Sequence, residues 1–505
     1  MARLPAPAPR VSLALVAAAA LITGASPSLV RAAQLSTCEE LLARLGDRLA
    51  DATCVVSPDL TTANPATTPA NNSIPGLPVG AFTPLTDRNV ISPDPPDRTP
   101  ITKSVPGVQL SARLANDPLG EARFLLRVPD GWNGSLVVAG ASGTRSEFNG
   151  DFAWSDYVVQ KGYAYASQNK RVLNLSITSL ASPTPPTPLS CRLNPASTIW
   201  VHFFDDDPGK PFTDWAPAIV EAGALATDAL VGLRQGPPRH VYAVGTSNGG
   251  YQVRRAIELA PYLFDGGVDW EGTFVSAAPP NLLTELPAAI ANFPAYVASG
   301  LDPTSTAAAN IRAAGYPPDI FSGTSSLWSL YWAQFWEVTQ CQWQKRLDPG
   351  YDTYGSGTGE YDYVARLAVS DVGAALDAFA NTGRLLRPLI TVAGTMDALL
   401  PIEHHARAYA RKVSETRARD GDDRGLDRAA PYRLYEVQNG NHIETFKNIF
   451  PQLELIQPHA QRAFDLLVDQ VENGAPLPPS QCIPRGGTIS SEPAQPGPCE
   501  ELLVP

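Results

Sequence analysis

One string in this 505-residue chain pairs a possible nucleophile with the backbone it would need: Gly245-Thr246-Ser247-Asn248-Gly249-Gly250, the single G-x-S-x-G present. Chance alone supplies roughly 0.2 such strings at ordinary serine and glycine frequencies, so the setting decides. An apolar run at 240–244 reads as a strand, and 249–259 reads as a helix. Ser247 therefore sits on a strand–turn–helix, where a sharp elbow thrusts its Oγ above a sheet. Glycines flank it because a Cβ would clash in so tight a turn. The bland alternative is an ordinary glycine-rich turn.

A serine nucleophile needs a base, and the base needs an orienting acid. In the order nucleophile, acid, base, the histidines after Ser247 are His404, His405, His442 and His459. His442 lies in a polar loop, Asn439-Gly440-Asn441-His442, just after the apolar run 432–437, at a strand's carboxyl end. His404 and His405 open a helix and His459 lies inside one, which suits solvated or capping roles. Asp397 follows the run 388–393 by four residues and is the acid candidate, with Glu403 and Glu444 weaker ones. Capping a turn is the competing role for Asp397. The oxyanion formed on attack needs backbone N–H donors. Asn248 would supply one, and Ala141 or Ser142, in the small-residue loop after the strand at 135–139, the other.

These residues need a frame. Strand-like runs at 124–129, 135–139, 163–167, 240–244, 388–393 and 432–437 alternate with helical stretches at 216–234, 249–259, 404–416 and 458–471. That alternation predicts an α/β fold, a mostly parallel central sheet flanked by helices. Residues 38–52 read as a short helix, 57–100 as a Pro-rich connector, and 101–270 with 380–475 as the catalytic domain. The intervening 271–379 is too long for one crossover and reads as a helical lid or cap. Trp328, Trp332 and Trp336 recur there at i, i+4 and i+8. With Trp343 they either form that subdomain's core or wall a substrate site.

Residues 1–33 read as an export signal: Arg3 and Arg10, then an apolar run over 11–22, then the small-residue site at 30–32. That run is too short to span a bilayer, and no later stretch reads as a span. Secretion or a periplasmic home makes the six cysteines a disulfide framework. Cys38–Cys54 and Cys482–Cys499 would close short loops, the second within a tail at 476–505, and Cys191–Cys341 would be a long staple. Net charge is −12, and −15 once the leader's three arginines are removed, which argues against a nucleic-acid partner. Asp205-Asp206-Asp207 reads as a solvated acidic loop, and 355–359 as a glycine-rich loop with no strand feeding it. Neither points to a metal or a cofactor.

Three segments together resemble extracellular 3-hydroxybutyrate oligomer hydrolases: 241–250 with Ser-Asn-Gly-Gly, 394–401 (GTMDALLP) and 435–446 (YEVQNGNHIETF). The tail around 478–487 is similar too. The resemblance implies an α/β-hydrolase-fold serine esterase acting on short hydroxyalkanoate oligomers, with Ser247, Asp397 and His442 as nucleophile, acid and base. The Cys38-Glu39 start resembles secreted tannases and feruloyl esterases instead, which implies aromatic or plant-derived esters. That group's cysteines beside Ser and His are replaced here by Thr246 and Asn441. A ligand-binding protein on a hydrolase scaffold is the non-enzymatic alternative.

Overall fold

Ten strands share one sheet in the computed structural model, which describes residues 27–70, 85–88, 90–91, 97–234, 236–351, 358–420 and 431–505. They are β1 (Leu49–Ser57), β2 (Gly107–Leu114), β3 (Arg123–Pro129), β4 (Leu136–Gly140), β5 (Ala164–Gln168), β6 (Val241–Thr246), β7 (Gly266–Trp270), β8 (Leu389–Gly394), β9 (Tyr432–Val437) and β10 (Gln481–Ile483). Across the sheet the order is β1-β2-β3-β5-β4-β6-β7-β8-β9-β10. The first three pairings are antiparallel, and every pairing from β5 onward is parallel.

Parallel strands need both faces covered, which is why β4 to β8 are buried along their whole length. Helices α1 (Pro27–Leu45), α2 (Trp215–Arg234), α3 (Asn248–Leu259) and α8 (Ala406–Arg419) cover one face. The other is covered by α9 (Gln457–Asn473) and by Trp154 and Val158. This is the α/β-hydrolase architecture, with β6 and α3 flanking Ser247 at its centre.

Three expectations change. The helix expected over 38–52 stops at Leu45, where Gly46 takes φ 52°, and the chain turns into β1. The disulfide-closed tail contributes β10, paired to β9. Phe212–Leu233, not credited as a span from sequence, is long and apolar enough to cross a membrane. Its Ile219, Ala222, Ala226 and Leu230 are buried against the sheet, the ordinary position of a core helix. Residues 71–84, 89 and 92–96 of the connector, 355–357 of the glycine-rich loop, and residues 1–26 of the expected leader lie outside the described residues.

The region over the sheet's carboxyl end comes from two stretches of chain rather than one. Between β7 and β8 stand α4 (Leu282–Ala298), α5 (Thr306–Ala313), α6 (Leu327–Gln334) and α7 (Trp336–Leu347), among shorter helices. Between β5 and α2 runs a three-stranded antiparallel sheet formed by Ser176–Ser179, Cys191–Arg192 and Trp200–His202. Its strands are too short to announce themselves in a Pro- and Ser-rich sequence. All three cysteine pairs are bonded: Cys38–Cys54, Cys191–Cys341 and Cys482–Cys499. Cys191–Cys341 joins the small sheet to α7.

Chain-entropy reasoning ranks these bridges by the loop each closes, 150 residues for Cys191–Cys341 against 16 and 17 for the others. Replacing Cys191 and Cys341 with Ser should lower unfolding free energy by about 5 kcal/mol, against about 3 kcal/mol for Cys38 and Cys54. Denaturant titration of both double variants checks the order.

Candidate active site

Ser247 occupies the turn between β6 and α3 at φ 58° and ψ −124°, a strained conformation for a residue with a side chain. Its neighbours explain the glycines. A Cβ on Gly245 would come within 2.4 Å of the Gly249 carbonyl oxygen, and one on Gly249 within 2.4 Å of the Gly140 oxygen. Backbone meets backbone on both sides of the nucleophile.

Asp397 lies in the loop after β8 and is buried. Its Oδ1 accepts the N–H groups of Leu399 and Leu400, each at 2.7 Å. Its Oδ2 stands 2.8 Å from His442 Nδ1. A carboxylate accepts, so Nδ1 carries the proton and Nε2 is left to take one. The loop holding His442 is tied down on every side. Asn439, at φ 63°, exchanges hydrogen bonds with the Val504 backbone at 2.6 and 2.8 Å. Asn441 Oδ1 accepts from the Tyr331 hydroxyl at 2.9 Å.

Ser247, Asn248 and His442 line one cavity of roughly 860 Å³, part of it open to solvent. Ser247 Oγ and His442 share it without a hydrogen bond between them; such contacts tighten when substrate binds. The cavity lining mixes aliphatic side chains, among them Val90, Ile91, Leu282, Leu399 and Leu400, with polar ones, among them Thr144, Arg145, Thr339 and Gln342.

One of the three expected oxyanion donors is already engaged. The Ser142 N–H already donates to Asn149 Oδ1 at 2.8 Å, which withdraws it as a donor. Asn248 and Ala141 remain. Lys170 Nζ donates to the Ser142 carbonyl at 2.6 Å, and Arg145 Nη1 donates to that of Gly143. Burial pushes the Lys170 amine well below its usual range.

Of the four tryptophans expected at the substrate, only Trp343 lines the cavity. Phe335 breaks the helix between α6 and α7, so the i, i+4, i+8 register does not run along one axis. Trp328 and Trp336 are wholly buried, with Nε1 donating to Pro317 O at 3.1 Å and Ala398 O at 2.7 Å. Trp332 stacks on Phe293, centroids 5.2 Å apart. These three form the cap's core.

Other expectations also shift. Asp205 and Asp206 are buried, not solvated, and Asp205 pairs with Arg145 at 2.8 Å. His404 and His405 are neither solvated nor capping: both bind the buried Glu285 of α4, at 2.7 and 2.6 Å. Glu403 pairs with Arg407 and Arg411. Glu444 Oε1 accepts the Gln457 N–H at the start of α9, and burial, opposed by that bond, raises its carboxyl to about 8. His459 is pushed down to about 4 by burial.

Sequence reasoning missed Glu271. It stands one residue past β7, beside the strand that leads to Ser247, and an acid at that strand end was the available signal. Its Oε2 is 3.5 Å from His442 Nδ1. Glu271, Asp397 and His442 have donor atoms within 4.8 Å of one another. Both Asp397 oxygens are already hydrogen-bonded, Oδ1 to two backbone N–H groups and Oδ2 to the imidazole.

Residues 355–497 match the 3HB-oligomer hydrolase (3HBOH) family. That stretch contains Asp397 and His442 but not Ser247. The D-(-)-3-hydroxybutyrate oligomer hydrolase of Burkholderia thailandensis is 37% identical over 131 residues, which cover 24% of this chain and 17% of the relative. A Burkholderia mallei protein of the same description is 35% identical over the same length and shares. The match thus spans about one-sixth of these relatives. Among solved structures, an Aspergillus oryzae esterase has TM-score 0.48 and 13% identity, covering 88% of this chain and 90% of that one. The tannin acyl hydrolase of Aspergillus niger has TM-score 0.46 and 12% identity, covering 84% and 83%.

The Glu285 pair generates a pH prediction. Burial opposes charge on Glu285, but the two histidines outweigh it and bring the carboxyl from 4.5 to about 2. Burial likewise opposes charge on His404, and Glu285 raises it above 6.5. The carboxylate's contribution is present above its unfolded value and lost as pH falls towards 2. The His404 contribution is present below 6.5 and lost as pH rises through the raised value. Glu285→Gln should therefore cost about 3 kcal/mol near pH 5.5 and less at pH 9 or pH 3. Thermal melts of both proteins across pH test this.

Proposed function

We propose that the chain is an exported serine esterase that cleaves short hydroxyalkanoate oligomers of the 3-hydroxybutyrate type. What carries the reading is the Asp397–His442 hydrogen bond of 2.8 Å, which holds a histidine lining the same cavity as Ser247 on its elbow between β6 and α3. Ser247 Oγ attacks the ester carbonyl while His442 Nε2 takes its proton. The N–H groups of Asn248 and Ala141 hold the oxyanion at the start of α3, where the helix dipole favours negative charge. His442 then protonates the departing alkoxide. Water enters by the reverse route, with His442 as base, and frees the acid. Every proton is returned, so the cycle closes on these side chains alone.

The substrate class rests on two supports. The family match covers the acid and base loops. The cavity's aliphatic lining suits a short branched acyl unit, while Thr144, Arg145, Thr339 and Gln342 offer polar contacts to ester or hydroxyl oxygens. Three disulfides are in keeping with an oxidising compartment.

Ser247→Ala and His442→Ala should each lower kcat by about 10⁴ or more, and the double variant should lose little further, because the residues act as one unit. A fluorophosphonate probe should label the native protein and spare Ser247→Ala. Labelling elsewhere, or none, overturns the mechanism. Among substrates, hydroxybutyrate dimer and trimer should exceed feruloyl and galloyl esters in kcat/KM; the reverse order would assign the aromatic class.

Trp343→Ala should raise KM for long esters more than for acetate, since its ring lines the cavity. Trp336→Ala should lower thermal stability and depress all substrates alike. Steady-state kinetics beside melting curves separate the two.

A further inference from the structure

We propose that Glu271 is a second acid partner of His442, a positioning residue that can take the hydrogen bond of Nδ1–H in place of Asp397. The inference rests on the reading of Ser247 and His442 as a catalytic pair.

The backbone is bent to put it there. Glu271 has φ 51°, a left-handed conformation costly for a residue with a side chain. The turn is over-determined. Glu271 N–H donates to Val392 O at 2.9 Å, and Gly272 N–H donates to Asp269 Oδ1 at 2.7 Å. The carboxyl is then aimed by the Gly394 N–H, which donates to Oε1 at 2.9 Å. This leaves Oε2 buried, without a hydrogen-bond partner, 3.5 Å from the nitrogen that Asp397 holds at 2.8 Å. A strained backbone that delivers an unpaired buried oxygen to a catalytic imidazole is a poor choice for stability alone, since such an oxygen costs desolvation energy.

Charge decides how two acids share one ring. Asp397 and Glu444 are the further acids that act on Glu271, Tyr331 senses its charge, and among the described residues His442 is the basic group beside it. Burial, and then the charge of Asp397, raise the Glu271 carboxyl well above its ordinary range, against the Gly394 N–H. Asp397 is stabilised as an acceptor by two N–H groups; Glu271 has one. The pair therefore divides its roles. Asp397 holds Nδ1 at 2.8 Å and Glu271, with its raised carboxyl, stands beside it, offering a lone pair of Oε2 to the ring when it becomes imidazolium. Removing Asp397 removes the repulsion and leaves space at Nδ1. Glu271 then loses its proton to water and accepts from Nδ1–H, which preserves the tautomer that leaves Nε2 free.

The test compares four proteins: native, Glu271→Gln, Asp397→Ala, and the double variant. The readouts are melting curves, fluorophosphonate labelling rates, and pH profiles of kcat/KM on p-nitrophenyl butyrate. Gln keeps an oxygen for the Gly394 N–H, so the loop should hold. Glu271→Gln alone should slow turnover by less than about tenfold. Loss of a triad acid with nothing to replace it costs about 10⁴, so Asp397→Ala should lose only about 10², and the double variant about 10² more. The Asp397→Ala profile should also carry an ionisation absent from the double variant. A double variant no slower than Asp397→Ala, or two single-acid profiles of the same shape, overturns the proposal. A native protein that neither labels nor turns over ester overturns the esterase reading instead. Should Glu271→Gln melt early, Glu271→Asp decides: withdrawn by one methylene, it should fail to support Asp397→Ala while restoring the fold.

Discussion

Backbone pressed against backbone at Gly140, Gly245 and Gly249 is the contact on which the site depends. Ser247 projects from the sheet only because β4 and the first turn of α3 approach to distances that admit no Cβ. Its left-handed conformation costs about 1–3 kcal/mol, and such strain persists only where the surroundings over-determine it. Here the Ser247 N–H donates to Trp270 O at 2.9 Å, and the Ser247 carbonyl accepts from Tyr251 N–H at 3.1 Å. The first of these bonds ends one residue before Glu271. Elbow and acid loop are thus consecutive links of one hydrogen-bonded path across β6, β7 and β8.

Buried charge fixes the register of that path. Arg254 of α3 and Asp269 of β7 form an ion pair with no exposed side-chain surface, and the guanidinium lies 4.4 Å over the Tyr409 ring. Asp269 also accepts from Thr391 Oγ1 of β8 at 2.8 Å. A pair this deep adds little net stability, because desolvation consumes its Coulomb gain. What it adds is position. A Cβ on either Gly250 or Gly272 would fall 2.3 Å from Asp269 Oδ1, so helix, strand and loop can meet around this carboxylate in one arrangement only.

Legibility in the sequence follows the range of the forces involved. The strands around Ser247, Asp397 and His442 are continuous apolar runs ending in polar turns, so local pattern places them to within a residue or two. The six cysteines pair as their spacing suggested. Three things were hidden because they are set by contacts distant in sequence. Whether Ser142 N–H is free depends on Asn149, which folds back on it. Whether Trp336 meets substrate depends on Phe335, which ends one helix and starts another. Glu271 looks like any loop acid until β7 and β8 lie side by side. Periodicity reports which face of an element is apolar, but not whether that face meets a cavity or another apolar face.

That last ambiguity bears on what the cap does. A lid that opens must separate from the catalytic loops at small cost, through few and solvent-exposed bonds. The contacts found are of the opposite kind. Trp336 Nε1 holds Ala398 O, next to Asp397, and the Tyr331 hydroxyl holds Asn441, next to His442. Glu285 binds two histidines of the loop after β8. Three of the four are buried and the His404 bond is partly so; the two made by Trp336 and Tyr331 reach the residues next to Asp397 and His442. Lifting α4, α6 and α7 away as a body would break all of them. The helices between β7 and β8 are thus joined by side-chain hydrogen bonds to the loops that carry Asp397 and His442.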